Sequence, residues 1–384
     1  MKTSLNTTVA IGLAALLGTL TPEADAALLV GNSTSNNIVI FDETNGNFLG
    51  NFTTPGSGGL RAPDTLTFGP DGNLYVSSGG SSDLNLFSSL YPQDSAVLRF
   101  SPRGNFLGVA ASGAGLTRPY GNAFGSDGSL FVSSFRTNQI LRFDPNTGDF
   151  LGVFASDNNN GLGTLNGLNG PNALLFGPDG SLYVATEGTA NDALGNLVFP
   201  FDSQVLRYRP EQVAGLLSTN TPEVFVPQPP PLPESLGFVS LLGLALAPDQ
   251  QSLYVSDFAG GIRQYDLEGQ LLQILSTNYT GTAPSNNFVG ALTFGSGDTA
   301  NNLFAIGFDF SQNNLGAVLA FNDAQGGTTN FSGTAYTSDS LVRPIGVTAV
   351  AAVPEPTTIA GALLALGGLA AARVRHSRNR SFLR

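Results

Sequence analysis

The sequence predicts an all-β protein: a six-bladed β-propeller of four-stranded blades, its ring closed by pairing N-terminal and C-terminal strands. Three observations predict it. A hairpin phrase recurs: Phe68-Gly-Pro-Asp-Gly-Asn-Leu-Tyr-Val-Ser-Ser78, Phe124-Gly-Ser-Asp-Gly-Ser-Leu-Phe-Val-Ser-Ser134 and Phe176-Gly-Pro-Asp-Gly-Ser-Leu-Tyr-Val-Ala-Thr186. Looser copies stand at Leu246-Ala-Pro-Asp249 with Leu253-Tyr-Val-Ser-Asp257, and at Phe294-Gly-Ser-Gly-Asp298 with Leu303-Phe-Ala-Ile306. Each phrase is followed by a second alternating pair, so each unit has four strands. Finally, the units are regularly spaced and the sixth is split between the two ends of the domain.

Each phrase reads strand, tight Asp-Gly turn, strand. The second pairs are Ser95–Phe100 with Asn105–Val109, Gln139–Phe143 with Asp149–Phe154, and Gly261–Tyr265 with Gln270–Leu275. Their period-2 alternation marks half-buried strands. Counting from the residue that ends each first strand gives Phe68, Phe124, Phe176, Leu246, Phe294 and Ala349, at steps of 56, 52, 70, 48 and 55. The sixth unit stops after one strand, Arg343–Val350. Its missing strands are predicted at Ala27–Val30, Asn37–Phe41 and Asn47–Phe52, which would close the ring and remove a free sheet edge.

The predicted organisation is residues 1–26 as a signal peptide, 27–352 as the propeller and 353–384 as a sorting segment. Met1 and Lys2 precede the apolar run Val9–Leu17, and Ala24-Asp-Ala26 supplies a small-residue cleavage site. At the other end Thr357–Ala372 holds only small and apolar residues, followed by Arg373, Arg375, Arg378, Arg380 and Arg384. Residues 357–374 would span roughly 27 Å as a helix, near the minimum for a bilayer core. The arginines would stay cytoplasmic.

Residues 27–352 carry ten Arg and no Lys against 25 acidic residues, a net charge of −15. That balance disfavours nucleic acid or an anionic membrane surface as partner, because phosphate binding needs clustered cations. Cysteine is absent, which excludes disulfides, zinc–thiolate sites and a thiol nucleophile. The single histidine, His376, lies in the basic tail.

Insertions are not spread evenly. The long stretches Gly79–Asp94, Asp157–Leu168, Glu187–Asp202, Glu211–Ser240 and Asp323–Ser340 all fall between second and third strands or between units. In an up-and-down blade those connections emerge on one face, leaving a smooth face and a decorated one. Loops on a rigid scaffold are where binding usually resides. The run Pro227–Pro233 reads as a stiff extended connector.

Asp71, Asp127, Asp179 and Asp249 are the most regular carboxylates, and their place in a two-residue turn makes them structural. Asp157-Asn-Asn-Asn-Gly161 lacks the spacing of a calcium loop and reads as a polar surface loop.

Phrase and unit order over residues 27–352 resemble NHL-repeat and gluconolactonase-type six-bladed propellers. The resemblance implies a divalent metal, Ca2+ or another, held in the channel by a Glu, an Asn and an Asp from first-strand loops. The corresponding positions, four before each counted residue, are Asp64, Tyr120, Asn172, Leu242, Gly290 and Ile345. Asp64 and Asn172 match in type; Glu187 and Asp257, ending second strands, would have to complete the site. Ordinary turn capping is the alternative for Asp64 and Asn172. Streptogramin-lyase-like propellers use a histidine base, which this domain lacks.

The C-terminal segment resembles the PEP-CTERM sorting signal: Pro354-Glu355-Pro356, a short apolar span and an arginine-rich end. The resemblance implies processing near that triplet by an exosortase-type membrane protease in a Gram-negative envelope, after a stage anchored in the inner membrane. Together these features lead to an exported cell-surface or matrix propeller with no assigned catalytic residue, binding polysaccharide or an envelope protein on its decorated face. A metal-dependent lactonase or esterase is the alternative.

Overall fold

The computed structural model of the chain describes residues 26–79, 95–156, 162–216, 220–322 and 331–350. The described residues open with β1 (Ala27–Asn32), β2 (Asn37–Asp42) and β3 (Phe48–Asn51). Blade 1 follows as β4 (Leu66–Phe68), β5 (Leu74–Ser78), β6 (Ala96–Phe100) and β7 (Phe106–Ser112). Blade 2 is β8 (Pro119–Phe124), β9 (Leu130–Ser134), β10 (Gln139–Phe143) and β11 (Phe150–Ser156).

Blade 3 holds β12 (Pro171–Phe176) and β13 (Leu182–Thr186), then a small hairpin of β14 (Ala190–Asn191) and β15 (Leu197–Val198). It resumes with β16 (Gln204–Tyr208) and, after the one-turn helix α1 (Pro210–Val213), ends with β17 (Glu223–Val226). Blade 4 is β18 (Leu241–Leu246), β19 (Ser252–Asp257), β20 (Ile262–Asp266) and β21 (Leu271–Leu275). Blade 5 is β22 (Asn287–Phe294), β23 (Leu303–Asp309), β24 (Leu315–Phe321) and β25 (Thr334–Val342). The last strand, β26 (Pro344–Val350), pairs with β1.

Among the described residues six four-stranded sheets result, and the sixth has the order β26-β1-β2-β3. Ala27 lies opposite Val350, Leu28 opposite Ala349 and Leu29 opposite Thr348. The ring therefore closes as the split sixth unit predicts.

Period-2 alternation explains the packing. Leu28 and Val30 of β1 pack with Phe304 and Ile306 of blade 5, whereas Leu29 packs with Leu66, Leu74 and Val76 of blade 1. A strand clasped between two neighbours is buried on both faces, as all six residues of β1 are. The core is accordingly divided into six apolar clusters, one at each interface between adjacent blades. Each fully buried Leu or Val contributes about 1.5–3 kcal/mol by leaving water.

The recurring turn differs from the expectation in one respect. It has three loop residues, not two: Gly69 N–H donates to Asn73 O at 2.9 Å, and Gly72 N–H to Gly69 O at 2.9 Å. Pro70 suits the first corner of a type I turn, and the glycine takes the left-handed position that completes it, with φ of 75°, 80° and 86° at Gly72, Gly128 and Gly180. Asp71, Asp127, Asp179 and Asp249 each accept the backbone N–H two residues on, at 2.9–3.1 Å. Their role is structural.

The signal-peptide and sorting features fall on residues 1–25 and 351–384, outside the described residues. So do Ala24, Pro354, Glu355, Pro356, Arg373 and Arg375, while Ala26 immediately precedes β1. Among the described residues no helix is long and apolar enough to cross a membrane.

Candidate functional site

Innermost strands begin at the decorated face, and the way they begin builds the site. In four blades the strand is led in by a residue of positive φ followed by proline: Ala62 (39°), Arg118 (52°), Gly170 (67°) and Arg343 (50°). Proline then starts the strand at a fixed φ. Two residues beyond each leader, a side chain turns into the channel. Of the six ring positions counted from the sequence, Asp64, Tyr120, Asn172, Leu242 and Ile345 line one cavity of about 810 Å³. Glu187, just past β13, lines it too.

At its floor Asn172 donates through Nδ2 to Glu187 Oε1 at 2.6 Å. Arg118 donates to the Tyr120 hydroxyl, and its guanidinium lies 5.1 Å from the Tyr120 ring and 5.2 Å from the Phe135 ring. Arg343 lines the same cavity. Burial dominates the acid–base behaviour. It pushes the Asp64 carboxyl up to about 8, with the Glu187 charge adding and Arg118 and Arg343 opposing. Burial likewise raises Glu187 to about 7 against the Asn172 hydrogen bond and Arg118, and Tyr120 to about 12. The Arg343 guanidinium is shifted down by burial. Two carboxyls and two guanidiniums thus share a water-poor floor, where charges interact strongly.

The walls come from two of the decorating loops, but the insertions are less one-sided than expected. Residues 334–340 lie on β25 and 223–226 on β17, each the fourth strand of its blade. Part of Asp323–Ser340 and of Glu211–Ser240 therefore falls between third and fourth strands. The stretch Glu187–Asp202 supplies Leu197, Phe199, Pro200 and Phe201, and Glu211–Ser240 supplies Pro231, Phe238 and Val239. Phe258 stacks on Phe288 with centroids 4.3 Å apart and planes 11° apart, so its ring is held firmly at the cavity. The proline run is fixed by Arg263, which donates to Pro230 O at 2.9 Å.

Three of the four proposed metal-site residues, Asp64, Asn172 and Glu187, therefore share one cavity. Asp257 is placed elsewhere. Its carboxylate pairs with Arg263 at 2.8 Å, both side chains being fully buried, and it accepts the N–H of Ser240 at 2.9 Å and of Ala259 at 3.2 Å. It is absent from the residues lining the cavity. The remaining donors are two carboxylates and one amide, with two fixed guanidinium charges beside them. A hard divalent cation takes six or more oxygens and would meet that positive charge, so the set fits such an ion poorly. Among the described residues no group of three or more His, Cys, Asp or Glu side chains comes together.

The fold is that of a six-bladed β-propeller, shared with solved structures of low sequence identity. A chain of a nidogen–laminin complex is similar with a TM-score of 0.56 over 86% of this chain and 99% of that chain, at 14% identity. A Bacteroides caccae protein of unknown function gives 0.52 over 85% and 99%, at 13% identity. The periplasmic gluconolactonase of Pseudomonas aeruginosa is 20% identical, with a TM-score of 0.47 over 81% of each chain. No protein-family profile and no curated protein sequence matches. At these identities the likeness is one of architecture, which hosts unrelated functions.

The sequence reading missed Arg118 and Arg343. Their signal was present, as Arg-Pro dipeptides at the same offset from the ring positions in two units, Arg118-Pro119 and Arg343-Pro344.

Proposed function

We propose that this chain is an exported, cell-surface or matrix-associated binding module whose ligand enters the cavity on the decorated face. One observation supports the reading above others. Two of the inserted loops, within Glu187–Asp202 and Glu211–Ser240, meet at the channel mouth, where they wall in two carboxyls, two guanidiniums, an amide and a phenol. A concave apolar pocket with a few convergent polar groups is the general form of a ligand site. The terminal segments add the address: a leader through Ala26, and a PEP-CTERM-like tail read by an exosortase-type protease. Polysaccharide or an envelope protein is the partner class that this address supplies.

The test sets binding against turnover. Glycan arrays and matrix pull-downs with the purified protein should retain a partner, and changes at the cavity floor should abolish retention. Hydrolysis of a lactone or ester without any captured partner overturns the reading.

A metal-dependent lactonase or esterase remains the second reading, because Asp64, Asn172 and Glu187 do share one cavity. It requires a cation bound by the native state, which raises the melting temperature. The binding-module reading expects no shift with millimolar calcium.

A further inference from the structure

The polar groups on the cavity floor are paired with one another. Asn172 donates to Glu187 and Arg118 to the Tyr120 hydroxyl, while the Asp64 carboxyl accepts the Thr65 N–H and faces both guanidiniums. Two carboxyls against two guanidiniums balance in charge. A hydroxyl-rich ligand would have to replace bonds already made, which gains little.

What the site leaves in water is apolar. Phe199 and Phe238 line the cavity with 63% and 42% of their surface exposed. Apolar surface also continues past the mouth in two directions. One runs toward blade 5, where Phe258 at the cavity stacks on Phe288, whose ring lies 4.9 Å from that of the exposed Phe310. The other runs onto the β14–β15 hairpin, which carries Leu197 at the cavity and Leu194, 86% exposed, at its tip.

That tip is built rather than loose. The N–H groups of Leu194 and Asn196 both donate to Asp192 Oδ1 at 2.8 Å. Arg136, between β9 and β10, donates to Gly195 O, and Asn191 donates to Arg136 O at 2.7 Å. Leucine exposed on a closed turn contributes no burial to the propeller. Single exposed apolar residues are ordinary, but a set arranged around a concave site marks an interaction surface.

The occupant is larger than the cavity, because a molecule confined to it would leave Leu194 and Phe310 in water. Polysaccharide offers mainly hydroxyls, for which the paired floor has no call. An anionic lipid surface is repelled by the net charge of −15 on residues 27–352. A protein surface offers apolar side chains, and such anchors seated in pockets dominate binding at protein interfaces.

We propose that the partner is a protein, neutral or basic at its contact surface. It seats an apolar side chain against Phe199 and Phe238 and covers Leu194 and Phe310 around them. This deepens the binding-module reading and rests on it.

Photo-cross-linking of the full chain in the cells that make it tests this. Phe199 is replaced by p-benzoylphenylalanine, which inserts into C–H bonds of protein, sugar and lipid alike. Irradiation should give a discrete protease-sensitive adduct, mapped by mass spectrometry to an apolar residue of one protein. Leu194→Asp and Phe238→Ser should each lower its yield at least about fivefold, with melting temperatures unchanged because both side chains are exposed. The same reagent at Leu107, exposed on β7, should not give that adduct. A labelled peptide centred on the mapped residue should bind the full chain, and at least about tenfold more weakly with serine at that residue. A glycosidase-sensitive adduct, or one mapped to a polar residue, would overturn this inference and leave the binding module standing. A lipid adduct would overturn it as well. If position 199 gives no adduct, this inference falls. The binding-module reading falls with it only if the glycan arrays and pull-downs are empty too.

Discussion

Asn172 hydrogen-bonds Glu187 at 2.6 Å, tying the start of β12 to the residue after β13 at the floor of the cavity. The bond favours the ionised carboxylate, yet burial prevails and Glu187 still titrates near 7. Asp64, buried beside it, titrates near 8. In the unfolded chain both acids return to ordinary carboxylate values near 4. The native protein thus holds more protons than the unfolded chain between about pH 4 and pH 8. Its stability from these groups is fully present below that window and is lost as pH rises through it. Urea midpoints should fall from pH 4 to pH 8 in the wild type. Asp64→Asn should flatten the fall and be the more stable protein at pH 8, by a few kcal/mol. A midpoint that rises over this range would contradict the burial of both acids.

Ring closure has a direct chemical test because the chain contains no cysteine. Leu28 and Ala349 are cross-strand partners in β1 and β26, although more than three hundred residues separate them. In the Leu28→Cys, Ala349→Cys double variant, mild oxidation should give one intramolecular disulfide, visible as faster migration on a non-reducing gel. The same pair of changes at Leu49 and Ala349 should give none, since Leu49 lies on β3 at the other edge of that sheet.

One turn departs from its sisters in a way that predicts a stabilising change. Gln250 holds the left-handed position, φ 60°, that Gly72, Gly128 and Gly180 hold in blades 1 to 3. A side chain there costs about 1 kcal/mol, partly offset by the greater freedom of unfolded glycine. Gln250→Gly should raise the melting temperature by a degree or two. Gly128→Gln should lower it, because nothing else in that turn changes.

The sequence and the structure agree where the repeat sets the register. Asp64, Tyr120 and Asn172 fall at the channel by their distance from Phe68, Phe124 and Phe176, since a strand's period of two leaves little freedom once its end is fixed. Asp-Gly alone signals a two-residue loop; the contribution of Pro70 to the three-residue turn shows only in the pairing of Gly69 with Asn73. Phe199, Phe201 and Phe238 were not legible as cavity walls, because insertions carry no repeat from which to count. Arg118 and Arg343 escaped for another reason. A charged residue before proline reads as a solvated turn, and only positive φ at Arg118 and Arg343 aims them inward. The sequence alone groups Asp257 with Glu187. Asp257 ends β19 and Glu187 directly follows β13, but Arg263, the second residue of the next strand, pairs with the Asp257 carboxylate.

The Asp257–Arg263 pair should therefore behave as a support for the wall rather than as a ligand set. Both groups are fully buried, and Arg263 also holds Pro230 O at 2.9 Å. Asp257→Asn keeps an acceptor for Ser240 N–H but leaves the guanidinium without its counter-charge, at a cost of about 3–5 kcal/mol. Adding Arg263→Met removes the stranded charge and should recover most of the loss, as apolar replacement of a buried pair often does. The double variant would still lack the tie to Pro230, so the segment Pro227–Pro233 should become protease-sensitive while the melting temperature recovers. Calcium should leave all three proteins unchanged. A calcium-induced rise in the wild-type melting temperature that Asp257→Asn abolishes would return Asp257 to the ligand set.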